Sequence, residues 1–326
     1  MNKKTYLNFL ILASMAIILA LIPVIVRRDY ILSIFINIFL FAYLSQSWNL
    51  LGGYTGYLSL GHTVFFGIGA YTSSLLFFHF GLTPWIGMLI GAVLSGLMGL
   101  FVGFLSFRYQ LRGIFFAMIT LAFGVIYRVI FTNSMSLGGA QGILIPLQKP
   151  SFWIYQFEGK FGYYYIGLAM LVVILIITIF LEHSKFGYNL LALKGNENAA
   201  EALGINTRRS KLGATVLSTF LTAFAGTYYA QYLSYISPET VFNLNLSIEI
   251  VLVSIVGGMG TIFGPTLGAF LLTPFSELTR SLLGDKAMGL HVVLYGIILI
   301  IFCLVLPNGI IPSIRLSKRS RSMKDA

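Results

Sequence analysis

The chain has 326 residues, of which 57% are hydrophobic and 10% are charged, and its mean hydropathy is +0.88. No soluble domain keeps this balance in water, so the composition excludes a soluble protein. The net charge of +11 comes from basic residues clustered between apolar stretches. That pattern orients a membrane protein, and it lacks the basic stripe and stacking aromatics of a nucleic-acid binder. The single cysteine, Cys303, excludes internal disulfides and cysteine-based metal sites.

Apolar runs long enough to cross a bilayer recur along the whole chain, so we predict a single membrane domain over residues 1–326. The first run follows Lys3 and Lys4 and lacks a small-residue cleavage site, so we interpret it as a retained helix. The fold class is therefore all-α, a polytopic helical bundle of about eight full spans. The predicted spans cover residues 6–26, 30–50, 62–80, 84–105, 113–132, 161–181, 210–233 and 288–306.

Basic residues determine the predicted orientation. With the N-terminus in the cytoplasm, alternation through seven helices places the basic turn 106–112 and the basic loop 182–211 inside. The basic tail 307–326 is inside as well if residues 245–287 return to the side from which they start. Glycines interrupt that stretch between 257 and 264, so we predict a broken hairpin or re-entrant segment there.

Two features predict how the helices pack. The fourth predicted helix carries a small residue at every fourth position, which favours close contact between helix backbones in lipid. These residues are Gly87, Gly91, Ser95, Gly99 and Gly103. Asn37 lies in an apolar run, where we expect it to form a hydrogen bond between helices.

Residues 49–62 (NLLGGYTGYLSLGH) contain four glycines between two apolar helices. Irregular backbone at membrane depth requires protein or water beside it, so this segment is a candidate for a translocation path. A cytoplasmic loop with turn glycines is the alternative, and His62 either lines the path or has a structural role. Glu249 lies between apolar residues, where a carboxylate has either a functional role or a structural, water-exposed one. The candidate path residues are Gly52, Gly53, Gly56, Ser59, Gly61, His62, Glu249, Gly257, Gly258 and Gly260.

Residues 196–204 (NENAAEALG) predict a short helix over 197–203. Asn196 can cap its first turn, and Gly204 stands where a left-handed residue ends a helix. A small rigid helix projecting from a membrane bundle is suited to docking in a groove of a partner, although an ordinary connecting helix has the same composition. The chain has no P-loop, H-E-x-x-H or G-x-S-x-G motif, so any ATP is expected on another subunit, and neither a metal site nor an intramembrane enzyme is predicted.

From Asn49 to Asn308 the chain resembles the permeases of branched-chain amino acid ABC importers, particularly the LivM-type subunit. The resemblance rests on six segments in the family's order, which are 49–70 (NLLGGYTGYLSLGHTVFFGIGA), 199–206 (AAEALGIN), 235–238 (YISP), 247–252 (SIEIVL), 257–269 (GGMGTIFGPTLGA) and 306–309 (LPNG). It implies that the loop around Asn198, Ala199, Ala200, Glu201 and Gly204 binds an ATPase. Ala199, Ala200 and Gly204 fit the A-A-x-x-x-G core of that loop, whereas Asn198 replaces the usual glutamate.

The resemblance also implies an assembly in the cell membrane. This chain and a related permease subunit would form the path, two cytoplasmic ABC ATPase subunits would bind the loops, and an extracytoplasmic binding protein would deliver the substrate. Leucine, isoleucine and valine are the implied substrates, with urea, short amides or other amino acids as alternatives within the same permease class. A self-sufficient channel or ion-coupled carrier, with Glu249 as its cation site, is the competing hypothesis.

Overall fold

The computed structural model describes residues 3–26, 28–283 and 309–313, together with a few isolated positions between 296 and 304. These residues form a helical bundle in which the only strands are two of two residues each, β1 (Ile143–Leu144) and β2 (Tyr235–Ile236), paired antiparallel. The helices are α1 (Lys3–Ile25), α2 (Asp29–Thr55), α3 (His62–Phe80), α4 (Pro84–Arg108), α5 (Ile114–Asn133), α6 (Phe161–Glu182), α7 (Lys185–Gly195), α8 (Glu197–Ala202), α9 (Thr207–Leu233), α10 (Pro238–Val241), α11 (Leu244–Gly257) and α12 (Gly264–Leu283). Short 3₁₀ helices cover Met135–Leu137, Gly139–Gln141 and Phe152–Ile154.

Seven segments of the described chain are long and apolar enough to cross a membrane. Six of them are α1 to α6, which confirm the first six predicted spans, and the seventh is the segment Pro238–Gly257 that holds α10 and α11. α2 continues five residues beyond its predicted end at residue 50, to Thr55. The predicted span 288–306 lies almost entirely outside the described residues.

The predicted span 210–233 forms most of α9, which differs in composition from the other long helices. Much of α9 is buried, and it packs against α2, α3 and α4. Its hydroxyl groups bond to neighbouring backbone, as where Ser218 donates to the carbonyl of Ser47 and Thr227 donates to that of Gly69. A helix surrounded by other helices need not be apolar, because its polar groups find partners inside the protein.

The predicted stripe of small residues on α4 is confirmed as a packing face. A Cβ added to Gly87 would fall 2.8 Å from the Cα of Ser73 on α3. A Cβ added to Gly99 would fall 2.1 Å from the Oγ1 of Thr219 on α9. Between them, Ser95 Oγ donates to the carbonyl of Thr219 at 2.7 Å. The stripe therefore lets α4 approach α3 with one half and α9 with the other.

Helices α11 and α12 form the predicted interrupted segment. A Cβ added to Gly257 would fall 1.8 Å from the carbonyl oxygen of Gly264, and a Cβ added to Gly268 would fall 2.1 Å from that of Val253. The two helices therefore run antiparallel in close contact. Their turn, residues 258–263, lies beside the last turn of α2. We call this end of the bundle, where α2 finishes and α8 lies, the α8 end. Because the turn reaches this end, the segment is a deep hairpin and not a shallow re-entrant loop.

Candidate functional site

The short helix predicted after Lys194 is present as α8. Asn196 Oδ1 accepts a hydrogen bond from the amide of Ala199 at 3.1 Å, which caps the first turn as predicted. Gly204 follows the helix with φ of +83°, the left-handed conformation expected of a glycine terminator. The helix ends at Ala202, one residue before the predicted end. Local capping signals therefore suffice to define this element.

One side of α8 faces solvent and the other faces the protein. Ala200 is 2% exposed and packs inward, so in this structure it attaches α8 to the bundle. Asn198, Ala199 and Glu201 are exposed, and Leu203, just after the helix, is 82% exposed. We call these four residues the α8 surface. Sequence analysis did not single out Leu203, because a leucine at that spacing also fits the buried side of a helix.

A cluster of charges, absent from the sequence-based predictions, joins α8 to the rest of the protein. Glu197 Oε1 lies 2.5 Å from Lys211 Nζ on α9, and Glu197 Oε2 accepts from the Tyr57 hydroxyl at 3.1 Å. Arg112 Nε lies 3.6 Å from the same Oε2. The side chains of Glu197 and Lys211 are 14% and 8% exposed. We call Glu197, Lys211, Tyr57 and Arg112 the Glu197 cluster.

Protonation in the Glu197 cluster follows from these contacts. Burial is the largest single influence on Glu197 and raises its pKa. The hydrogen bond and charge of Lys211 and then the charge of Arg112 lower the pKa, and together they outweigh burial, so the pKa lies below its ordinary 4.5. Burial and then the Glu197 carboxylate raise the pKa of the Tyr57 phenol above its ordinary value. At neutral pH, Glu197 is therefore ionised and Tyr57 keeps the proton that it donates.

A second set of hydrogen bonds joins α2, α7 and the hairpin turn. Lys194 Nζ donates to the carbonyl of Gly53 at 2.7 Å. Asn49 is fully buried on α2, where its Nδ2 donates to the carbonyl of Thr261 at 3.0 Å and its Oδ1 accepts from the amide of Gly260 at 2.7 Å. The last turns of α2 therefore contact both the loop that carries α8 and the turn between α11 and α12.

The glycine-rich segment after Asn49 is less irregular than expected. Gly52 and Gly53 are helical residues of α2, and Gly56, with φ of +79°, ends that helix by donating to the carbonyl of Gly52. Irregular backbone is confined to residues 56–61, and it runs inward from the α8 end: the Ser59 carbonyl accepts from Trp48 Nε1 on α2, and the Leu60 amide donates to Thr120 Oγ1 on α5. Buried irregular backbone of this kind fits the predicted path, the turn glycine Gly56 fits the alternative loop, and a role in the path stays a proposal.

His62 begins α3 and is fully buried. Its Nδ1 lies 3.1 Å from Ser59 Oγ and its Nε2 lies 2.9 Å from Ser218 Oγ. Both ring nitrogens thus lie within hydrogen-bonding distance of hydroxyl groups of the same chain. These contacts fit the structural role considered for His62, because they hold the start of α3 against α9.

The remaining candidate path residues lie on the hairpin. Gly258 and Gly260, with φ of +118° and +78°, form its turn, and Gly257 packs against α12. Glu249 is partly buried on α11, roughly 12 Å along the helix from Gly257 at 1.5 Å per residue. The structure thus gathers the candidate glycines other than Gly61 at the α8 end and separates Glu249 from that group.

Asn37 forms the hydrogen bond between helices that was predicted for it. Its Nδ2 donates to Glu277 Oε1 on α12 at 2.8 Å. Glu277 was not predicted as a site residue, and it is a second partly buried carboxylate of the hairpin. The contact ties the hairpin to α2 at a position distant from Asn49.

The fold and the site together define a class, a multi-pass helical membrane protein that carries a small exposed helix at one end. Residues 30–303 match the family described as branched-chain amino acid transport system / permease component, and the chain belongs to this family. It is thus a member of a family of membrane permeases. No solved structure matches the chain.

Three similar proteins are named as permease proteins. The chain is 30% identical over 290 residues to the high-affinity branched-chain amino acid transport system permease protein LivM of Escherichia coli strain K12, covering 82% of this chain and 66% of LivM. It is 26% identical over 219 residues to the L-arabinose ABC transporter permease protein AraH of Azospirillum brasilense (66% of this chain, 62% of AraH). It is 27% identical over 195 residues to the autoinducer 2 import system permease protein LsrC of Enterobacter sp. strain 638 (58% and 54%). The chain therefore spans less than two thirds of each relative.

Proposed function

We propose that this chain is the permease subunit of an importer that moves branched-chain amino acids across the cell membrane and is powered by separate ATPase subunits. The observation that carries the proposal is the α8 surface, which lies on a capped helix and exposes Leu203 to solvent. The sequence contains no P-loop motif, so ATP is expected to bind to another subunit. The similarity to LivM favours leucine, isoleucine and valine over a sugar, over autoinducer 2, and over urea or short amides. The further partners are a related permease subunit and an extracytoplasmic binding protein.

In the proposed mechanism, the ATPase subunits drive the movement, and the helices of the permease adopt two arrangements that open the path to opposite sides of the membrane. Closure of the ATPases on ATP displaces the docked α8, and the bundle tilts so that the path opens to the other side. A ligand shifts such an equilibrium only as far as its affinity differs between the two states. Glu197 joins α8 to α9 through Lys211, and Lys194 at the end of α7, just before α8, bonds to α2; these two contacts give the displacement a route into the bundle.

Substituting aspartate for Gly204 is expected to leave the protein inserted but to prevent ATPase binding. Aspartate tolerates the left-handed conformation better than most side chains, so the fold should persist, and the substitution places a carboxylate beside the α8 surface. Recovery of ATPase subunits with the tagged permease should fall by at least about tenfold, which corresponds to 1.4 kcal/mol. Gly195→Asp is the matched control, because Gly195 lies in the same loop with open space around its Cα and without a positive φ. Normal recovery with Gly204→Asp would contradict the proposal.

The α8 surface is expected to face the cytoplasm. With Cys303 replaced by serine, Asn198→Cys should react with an impermeant maleimide only after the cells are opened. Leu147→Cys is the comparison, because Leu147 is 79% exposed and lies at the opposite end of the bundle, so it should react in intact cells. Labelling of position 198 from outside would overturn both the orientation and the docking of an ATPase.

Reconstitution separates the importer from a carrier that works alone. The purified chain in liposomes should take up no amino acid by itself, and uptake should require the permease partner, the ATPases, the binding protein and ATP. Uptake by the chain alone, abolished by Glu249→Gln, would favour the ion-coupled carrier instead.

A further inference from the structure

Glu197 makes more contacts with the bundle than its position on a six-residue helix would suggest. Each of its two oxygens binds a different element, Oε1 the ammonium of Lys211 on α9 and Oε2 the hydroxyl of Tyr57 in the connection between α2 and α3. Arg112, just before α5, approaches the same carboxylate. One side chain of α8 is therefore in contact with three separate parts of the membrane bundle.

The other carboxylate of α8 is placed differently. Glu201 is exposed, and its Oε1 accepts a hydrogen bond from the Thr207 hydroxyl, six residues along the same loop. Its contact thus stabilises the local fold of the loop and the start of α9. The two glutamates lie four residues apart on one short helix, but only Glu197 contacts other helices of the bundle through its carboxylate.

Lys211, the partner of Glu197, also contacts a cluster of aromatic rings. Its Nζ lies 5.3 Å from the ring centroid of Tyr57 and 5.2 Å from that of Phe107 at the end of α4. Phe107 stacks on Phe116 of α5 with centroids 5.5 Å apart, and the Tyr57 ring meets both edge-on at 5.4 and 5.3 Å. An ammonium over ring faces is held by their negative potential. The cluster around Lys211 thus includes the ends of α4 and α5.

A buried ammonium that loses its carboxylate partner is strongly disfavoured. Displacement of α8 with an intact Glu197–Lys211 pair therefore carries Lys211 with it, together with the rings packed on Lys211. We infer that Glu197 is the residue that transmits the movement of α8 to α4, α5, α9 and the 56–61 connection. The inference rests on the proposed function and assigns Glu197 to transmission, as distinct from docking by the α8 surface.

The test measures substrate taken up per ATP hydrolysed by the complete reconstituted importer. Glu197→Gln keeps the shape of the side chain and removes its charge, so the ATPases should bind and hydrolyse ATP as before while uptake per ATP falls on the order of tenfold. Glu239→Gln, which removes the charge of an exposed carboxylate paired with Arg128 away from α8, should stay near the wild-type ratio. The double variant Glu197→Lys with Lys211→Glu, which restores a pair of opposite charges, should recover part of the ratio.

Several outcomes would overturn the inference. A wild-type ratio with Glu197→Gln would do so, as would parallel loss of ATPase binding and hydrolysis, which would make Glu197 a docking residue. If Glu197→Gln does not accumulate as folded protein, Tyr57→Phe replaces it, since this change removes one hydroxyl and keeps the ring packing; an unchanged ratio there would also overturn the inference. Failure of the wild-type complex to couple ATP to uptake would instead count against the proposed function.

Discussion

Replacing Gly226 with alanine is expected to destabilise the permease more than the same substitution at Gly213, the other glycine of α9. The new Cβ would fall 1.9 Å from the backbone carbonyl oxygen of Phe66 on α3. The approach is reciprocal, because a Cβ on Gly69 of α3 would fall 2.1 Å from the carbonyl oxygen of Ala223. Backbone atoms cannot rotate away as a side chain can, so the helices must separate, at a cost of roughly 1–3 kcal/mol or more.

Gly96→Ala supplies the control for this prediction. Its added Cβ would meet the nearest atoms, on Phe220 and Val216, at 3.7 Å, an ordinary contact distance. Both substitutions gain about 1 kcal/mol of helix propensity, so the difference between them isolates the packing effect. Thermal unfolding in detergent, followed by size-exclusion chromatography, should give a lower midpoint for Gly226→Ala and an unchanged or higher one for Gly96→Ala. Equal midpoints would show that α3 and α9 are not in close contact.

Replacing Asn49 with alanine is expected to release the turn between α11 and α12. The substitution leaves the amide of Gly260 and the carbonyl of Thr261 without the partners that Asn49 provides on α2. Each buried polar group left unpaired costs about 1–3 kcal/mol. Hydrogen exchange over residues 258–263 should therefore accelerate, and ATP-driven uptake should fall with it.

Asn133→Ala is the matched control for that experiment. Asn133 is also at the end of a spanning helix, but its side chain bonds only to the carbonyl of Val129 in its own turn and is exposed. Water can replace this bond, so exchange in the hairpin turn should stay at the wild-type rate. If Asn49→Ala left the turn equally protected, the turn would be held by its other contacts, such as the packing of Gly258 against Gly309.

Local signals in the sequence were enough to predict much of the fold. Apolar runs predicted α1 to α6, the four-residue spacing of small side chains predicted the packing face of α4, and Asn196 and Gly204 predicted both ends of α8. The glycines after Asn49 misled the prediction of where α2 ends. Gly52 stays helical beneath the ring of Trp48, and Gly53 packs against the hairpin turn, so both serve close approach within a helix.

The candidate site was predicted only in part, because its contacts join distant parts of the chain. Glu197 and Tyr57 are separated by 140 residues, and Arg112 lies in a third connection, so no spacing in the sequence relates them. The positions of the charged residues predicted the orientation of the protein in the membrane, but they did not predict which charged residues form ion pairs. Most of the candidate path residues were chosen because they are glycines. In the structure these glycines form turns and close helix contacts, and a single sequence does not distinguish such glycines from those that line a path.

The polarity of α9 has a consequence for how the protein is made. A helix this rich in hydroxyl groups gains less from contact with lipid than its neighbours do, and its hydrogen bonds with α2, α3 and α4 replace that gain. All three of those helices precede α9 in the chain and leave the ribosome before it. When α9 is synthesised, the helices that it packs against are therefore already in the bilayer. A rearranged chain in which α9 came first is expected to insert poorly.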